Sequence, residues 1–252
     1  MIENKNEDVE KKPCIKCGVL IVLDNRFCNT CGARQDGKII EPAANRWMLL
    51  QQGALFYGID IVACCLVKFA DFFQNLSRFL FFDILMAITA IIFFADNWTE
   101  NKKLLTWRNF SWQKLAAYGA IAIASQIVVH YSVTWLNIAI YNKDDVYYTY
   151  LNGNYAAVIF LISFTAVMPA LFEELGYRGY LMQTLLKVTD QEQAIYISAF
   201  LFAIIHMSVI SLFWLIPFAL FLGITRMREN TLWYGIFIHF CFNLTACVFE
   251  LR

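Results

Sequence analysis

The feature that most constrains this chain is a series of long apolar runs that begins after Arg46. The runs are roughly 18–25 residues long, which is enough for a helix to cross a hydrocarbon core of about 30 Å. Hydrophobic residues make up 60% of the 252 residues and charged residues only 16%, whereas soluble domains carry about a quarter charged residues. The chain is therefore predicted to be an all-α polytopic membrane protein.

The apolar runs predict a bundle of about seven transmembrane helices. The candidate spans are 47–67, 77–95, 113–140, 156–186, 192–207, 209–225 and 231–249. Eight is the alternative count, because the third run is long enough to contain a break. The predicted organisation is a disordered N-terminus over 1–12, a small head over 13–34, a linker over 35–46 and a transmembrane domain over 47–252.

Basic residues are concentrated in the head and in every second loop of the predicted bundle. Those in the loops are Lys102, Lys103, Arg108, Lys187, Arg226 and Arg228. The positive-inside rule then places the N-terminal head in the cytoplasm. The net charge is zero, which gives no reason to expect a nucleic acid partner. The lipid bilayer is the predicted environment.

Two Cys-x-x-Cys pairs, Cys14 with Cys17 and Cys28 with Cys31, define the head. Two turns of this kind can direct four thiolates at one tetrahedral Zn²⁺, and such a closed site is structural and not catalytic. Two disulfides or a redox dithiol are the alternatives, and they fit a reducing compartment poorly. The head resembles the short zinc ribbons at the N-termini of many prokaryotic membrane proteins, which implies a prokaryotic cytoplasmic membrane and a possible protein partner for the ribbon.

Three short polar patterns lie within the predicted spans. They are E-E-x-x-x-R at Glu173, Glu174 and Arg178, F-x-x-x-H at Phe202 and His206, and H-x-x-x-N at His239 and Asn243. Ionisable groups are costly in hydrocarbon and by default mark functional sites. At a rise of 1.5 Å per residue, Glu173 lies roughly 21 Å before the turn that follows span four, and His206 lies about fifteen residues beyond that turn, so the two reach a similar depth. The patterns therefore predict a catalytic site within the bilayer.

The spacing of the first pattern separates the roles of its two glutamates. Glu174 and Arg178 are one helical turn apart in the favourable acid-first order, which predicts an ion pair. Glu173 points about 100° away and is expected to have no cation of its own, so desolvation should disfavour its charged form and let it accept a proton near neutral pH, which makes it the candidate general base. An amide one turn from His239 can fix the tautomer of the ring or donate to a developing oxyanion.

Several alternatives are compatible with these residues. Glu173, His206 and His239 could bind a metal ion, or relay protons or ions as in a transporter, and the motif residues could serve only as hydrogen bonds between helices. Asp60 and Asp83 are expected near span ends or facing the bundle interior.

The three patterns, in this order, make residues 155–250 similar to the CPBP family, the CAAX protease and bacteriocin-processing enzymes also called Abi proteins. The resemblance implies an intramembrane endopeptidase that acts on membrane-associated peptides or proteins. In the glutamate-dependent scheme of that family, Glu173 and His206 would activate a water. His239 and Asn243 would then stabilise the oxyanion, with Glu174, Arg178 and Phe202 as supporting residues.

The family also has a metal-dependent interpretation. The metal-free one is favoured here because the candidate ligands lack the compact H-E-x-x-H spacing. A non-proteolytic membrane scaffold, whose zinc ribbon recruits a partner, is the alternative from a different functional class.

Overall fold

The computed structural model describes residues 11–22, 30–31, 43–70, 72, 76–107, 110–141 and 155–251. Four sequence predictions lie wholly or largely outside these residues: they concern the N-terminus over 1–10, most of the linker, Cys28 and Arg108. The last four residues of the predicted linker belong to the first helix, which begins at Ala43.

The described membrane domain is helical throughout. Its first part comprises α1 (Ala43–Phe69), α2 (Leu76–Asp96), α3 (Trp98–Asn101) with a 3₁₀ turn (Lys102–Leu105), and α4 (Trp112–Tyr141). A long composite helix follows, made of α5 (Tyr155–Ile162), π1 (Ser163–Val167), α6 (Met168–Glu173), π2 (Glu174–Leu181) and α7 (Met182–Val188). The last helices are α8 (Gln191–Ile204), α9 (Leu212–Glu229) and α10 (Trp233–Glu250).

The number of helices that could cross a membrane differs from the prediction. Within the described residues, three segments are long and apolar enough: 45–69, 112–140 and 158–188. Helices α2 and α3 add a fourth only if the 93° bend between them lies within one span. Each of the seven predicted segments does contain a helix, but seven spans are not confirmed.

Helix α8 is shorter than the span that was predicted for this segment. It has 14 residues, a length of roughly 21 Å at 1.5 Å per residue, which is shorter than a hydrocarbon core of about 30 Å. Its side chains Ala199, Phe202 and Ala203 are at most 1% exposed. Its other face is exposed, with Tyr196 at 53% and Phe200 at 46%, so an apolar run also arises in a helix that is too short to span the core. Val128 and Trp135 on α4 are 64% and 68% exposed, as expected for a face toward lipid.

The composite helix packs closely against its neighbours at π2. A Cβ atom at Gly176 would lie 2.7 Å from the Phe56 ring of α1, and one at Gly179 would lie 2.6 Å from the Phe94 ring of α2. Glycine is required at both positions for this approach of the helices. A π-helical stretch inside an α-helix widens the turn and is frequent at functional sites.

One end of the bundle gathers several chain connections. The Trp233 indole donates to the Leu105 carbonyl at 2.8 Å, and the Lys187 ammonium pairs with Glu100 at 2.8 Å. Trp107 stacks on Trp233 with ring centroids 5.9 Å apart. These contacts bring the α3–α4 connection, the end of α7 and the start of α10 together. Lys102, Lys103 and Lys187 therefore share this end, and interfacial aromatic rings lie beside them.

Candidate active site

Helices α8 and α9 form an antiparallel hairpin whose tip carries His206. Helix α8 begins after Asp190, whose carboxylate accepts a hydrogen bond from the Gln193 amide at 2.8 Å as an N-cap. The chain turns over residues 205–211, where Met207 has a positive φ of 49°. A non-glycine residue in this region is uncommon and places a constraint on the backbone next to His206.

The imidazole of His206 is fixed by the backbone of its own helix. Its Nδ1 lies 3.0 Å from the Phe202 carbonyl oxygen. Because a carbonyl only accepts, Nδ1 carries the proton, and Nε2 of the neutral ring keeps its lone pair. The side chain is exposed to a cavity of about 740 Å³, which Glu173 also lines. The structure thus brings His206 and Glu173 to one cavity, with an acceptor nitrogen on the histidine.

Glu174 is the buried centre of the polar network. It is 0% exposed, and its Oε1 accepts hydrogen bonds from Arg178 Nη1 at 2.9 Å and from His239 Nδ1 at 3.1 Å. The predicted Glu174–Arg178 ion pair is confirmed. Because the Glu174 carboxylate accepts, Nδ1 of His239 carries a proton, so Glu174 and not the amide of Asn243 fixes the tautomer of this ring.

Phe202 lies between the charged network and both motif histidines. Its side chain is 0% exposed, and its ring centroid is 5.0 Å from that of His206 and 5.9 Å from that of His239. The Arg178 guanidinium lies 4.3 Å above the same ring, a cation–π contact. Arg178 also donates from Nη2 to the Ala219 carbonyl at 3.2 Å. Phe202 therefore holds both imidazoles in place by packing.

Glu173 is half-buried and has a nitrogen partner that the sequence did not indicate. Its Oε2 lies 3.7 Å from His239 Nε2, and its side chain is 20% exposed. Glu173 was expected to have no cation of its own, and among the described residues the nearest ionisable nitrogen is this His239 Nε2, which is cationic only when the ring carries both protons. His239 thus lies between two carboxylates, with Nδ1 toward Glu174 and Nε2 toward Glu173.

Asn243 lies one turn beyond His239 on α10 and is half-buried. Residues four apart share a helix face. Among the contacts of the described residues, none joins Asn243 directly to Glu173, Glu174 or His206. The structure therefore places Asn243 beside the network but outside its hydrogen bonds.

Asp60, Asp83 and Tyr177 also lie at the site, and the motifs did not identify them. Asp60 on α1 is 3% exposed and accepts a hydrogen bond from the Tyr177 hydroxyl at 3.3 Å. Asp60, Asp83 and Glu173 line a small cavity of about 40 Å³. The signal that could have found the two aspartates is the presence of a carboxylate inside an apolar span.

The cysteine cluster belongs to a separate element at the N-terminus. Strands β1 (Lys11–Pro13) and β2 (Leu20–Val22) pair in antiparallel fashion, and Gly18 in the turn has the left-handed φ of 73°. The Lys16 amide donates to Cys14 Sγ at 3.4 Å.

The thiol groups of this element converge. The Sγ atoms of Cys14, Cys17 and Cys31 lie within 4.8 Å of one another, close enough to bind one ion. The fourth predicted ligand, Cys28, lies outside the described residues. Thiolates grouped in this way suit zinc.

A protein-family model described as Type II CAAX prenyl endopeptidase Rce1-like matches residues 154–245. The match includes all the residues of the three polar motifs and is consistent with the CPBP resemblance. Residues 154–245 are therefore similar to this family. Comparisons with curated proteins and with solved structures give no match.

Proposed function

We propose that the protein is an intramembrane endopeptidase that cleaves membrane-associated peptides or proteins with a water activated by Glu173 and His206. The observation that carries this proposal is the meeting of these two side chains at one cavity of about 740 Å³. The family match over residues 154–245 supports the class of enzyme.

The geometry is compatible with general-base catalysis. A water in the cavity can donate one hydrogen bond to the Glu173 carboxylate and one to the free Nε2 of His206. Glu173 then takes a proton as the water oxygen attacks the peptide carbonyl, and that proton passes to the leaving nitrogen when the C–N bond breaks. A positioned base of this kind contributes roughly 10²–10⁴-fold to the rate.

The oxyanion of the tetrahedral intermediate would form beside α10. The Asn243 amide can donate to it directly. His239 donates from Nε2 only when its ring carries both protons, because Nδ1 already donates to Glu174 at 3.1 Å. The two carboxylates next to His239 provide the charge partners for that imidazolium. Removal of one oxyanion donor reduces kcat by about 10²–10³ in enzymes of this type.

The arrangement of ligand atoms favours the glutamate-dependent scheme over a catalytic metal. Among the described residues, three potential ligand atoms come within 4.8 Å of one another only in the cysteine cluster. Both nitrogens of His239 lie near a carboxylate, at 3.1 Å and 3.7 Å. Cleavage that survives prolonged incubation with a strong chelator supports this scheme, and loss of cleavage that added metal restores would contradict it.

The experiment that tests the proposed function compares isosteric and truncating variants in proteoliposomes. Glu173→Gln and His206→Ala should each abolish cleavage of a membrane-anchored reporter, while the protein keeps its wild-type thermal stability. One matched control is Glu192→Gln, because Glu192 is an exposed glutamate at the start of α8. The other is His130→Ala, because His130 on α4 stacks on Phe249 on α10. Normal cleavage by both site variants would overturn the proposal.

The substrate panel follows from the family description. It should contain a prenylated peptide ending in a CAAX sequence and an unmodified membrane-anchored peptide of the same sequence. Preference for the first extends the activity named in the family description to this chain. Equal cleavage of both would indicate recognition of the peptide alone.

We further propose that the N-terminal element over 13–34 is a zinc ribbon in which Cys14, Cys17, Cys28 and Cys31 bind one structural Zn²⁺. Three of the thiols already lie within 4.8 Å of one another. So short a segment has too small a core to fold without a metal or disulfides. One zinc per chain by elemental analysis, lost in Cys14→Ser, is the expected result.

We propose a cytoplasmic location for the ribbon. Lys102, Lys103 and Lys187 lie at one end of the bundle, which the positive-inside rule assigns to the cytoplasm. Labelling of single cysteines introduced at exposed positions of that end, from inside and outside sealed vesicles, tests this orientation.

A further inference from the structure

A second, smaller cavity adjoins the catalytic one. Asp83, Met86 and Glu173 line both cavities, so they separate the two spaces. The small cavity has a volume of about 40 Å³, more than the roughly 10–15 Å³ that one water requires. Asp60 completes its polar lining, and among the described lining residues there is no Lys, Arg or His.

Asp60 has one satisfied and one unsatisfied oxygen. Its Oδ2 accepts the hydrogen bond from Tyr177 at 3.3 Å. Its Oδ1 is buried and has no hydrogen-bond partner among the described residues, although the residue is only 3% exposed. An unpaired buried carboxyl oxygen is costly and calls for a water or a proton.

The titratable groups that face Asp60 come from every helix packed against it. They are Asp83 from α2, Glu173 and Tyr177 from the composite helix, and Tyr57 and Cys64 from α1 itself. None of these groups that face Asp60 is a cation. Glu173 also faces His239, whose Nε2 lies 3.7 Å from its Oε2, and it shares the large cavity with His206. Carboxyls that share a small cavity of low dielectric constant disfavour one another's charged form, so a proton held between two of them is favourable.

We propose that Asp60 is a positioning residue that shares a proton with Glu173 through a water held in the small cavity. The inference rests on the proposed role of Glu173 as the general base. While the shared proton resides on Asp60, Glu173 is ionised and able to accept a proton from the attacking water. Only a proton moves between carboxyl oxygens, so no co-reactant is needed. A metal ion does not take the place of the shared proton, because the carboxylates of the described residues are not grouped closely enough to bind one.

The test is the pH dependence of kcat/KM for Asp60→Asn. Asparagine keeps the shape of aspartate but stays neutral, so Glu173 ionises without a neighbouring charge. The acid limb of the profile should move to lower pH by on the order of one unit, as expected for one nearby charge at an effective dielectric constant of about 20. Asp96→Asn removes one carboxylate from the exposed end of α2 and should leave the profile unchanged.

Tyr177→Phe is the second variant and removes only the hydroxyl that donates to Asp60. Without that donor the shared proton favours Asp60, so Glu173 is ionised more often and the acid limb should move in the same direction by a smaller amount. The double variant should match Asp60→Asn alone, because the hydroxyl acts through Asp60. A wild-type profile for Asp60→Asn, or additive shifts in the double variant, would overturn the proposal.

A spectroscopic measurement separates this inference from the proposed function. Infrared titration of the wild-type protein should show a protonated-carboxyl stretch that disappears as pH rises, and Asp60→Asn should change that band whether or not any substrate is cleaved. Absence of cleavage by the wild-type protein would therefore defeat the proposed function only. An identical infrared titration in Asp60→Asn would defeat the shared proton.

Discussion

Because Gly235 on α10 has no side chain, the buried Glu174 carboxylate fits directly against it. A Cβ atom at this position would lie 2.9 Å from Glu174 Oε2, whereas ordinary contacts begin at 3.4 Å. Gly235→Ala therefore requires a shift of about 0.5 Å by the carboxylate or by α10. The same carboxylate accepts hydrogen bonds from Arg178 at 2.9 Å and from His239 at 3.1 Å. Such a shift strains at least one of these bonds.

The effect on stability and on catalysis follows from those two bonds. A hydrogen bond to a charged group contributes about 1.5–3 kcal/mol, and overpacking of a well-packed core costs about 1–3 kcal/mol. We expect Gly235→Ala to lower the free energy of unfolding by about 1–3 kcal/mol. A misplacement of 1 Å can reduce a rate by about 10², so a shift of half that size should reduce cleavage by roughly 10-fold. Reporter cleavage and thermal unfolding of one proteoliposome preparation provide both measurements.

Gly58→Ala is the matched control, because a Cβ at Gly58 on α1 meets nothing within 4 Å. It should leave cleavage unchanged and raise stability slightly, since alanine favours a helix over glycine by up to about 1 kcal/mol. Wild-type cleavage and wild-type stability in Gly235→Ala would refute the argument that tight packing fixes Glu174 and, through it, His239.

Three further substitutions test the network and the ribbon. Arg178→Lys should lower the free energy of unfolding by about 2–4 kcal/mol in chemical denaturation, because an ammonium cannot bond both Glu174 and the Ala219 carbonyl while stacking on a ring. Phe202→Leu should reduce cleavage roughly 10-fold with a loss of about 1–2 kcal/mol in the same assay, because both histidine rings lose their packing partner. Cys14→Ser should eliminate bound zinc in elemental analysis but leave reporter cleavage intact, and a loss of cleavage would show that the ribbon and the site are coupled.

Hydropathy located the helices well because an apolar run must be buried in lipid or in protein. It could not distinguish these two environments. Helix α8 was predicted to cross the membrane over 192–207, but it is 14 residues long and ends at Ile204. His206 therefore lies in a turn and not within a helix. The π-helical stretches were not predicted either. One extra residue in a turn does not alter the hydropathy pattern of a uniformly apolar sequence.

Spacing along a helix predicts contacts only within that helix. The Glu174–Arg178 pair followed from the four-residue separation. The bond from His239 to Glu174 joins residues 65 apart in the sequence, and the bond from Tyr177 to Asp60 joins residues 117 apart. These partners depend on how helices pack. The motifs could therefore name candidate residues, while the contact of His239 with a carboxylate required the structure.

The shortness of α8 has a consequence for the membrane around the protein. The helix falls roughly 9 Å short of the thickness of a typical hydrocarbon core. The open backbone groups of the turn over 205–211 are not stable in contact with lipid tails. For an α8 that stands along the membrane normal, the bilayer must thin beside the α8–α9 hairpin, or water must extend to its tip, where Ile205, His206 and Met207 border the large cavity. Acyl-chain length would then control the supply of water to the hydrolysis proposed above.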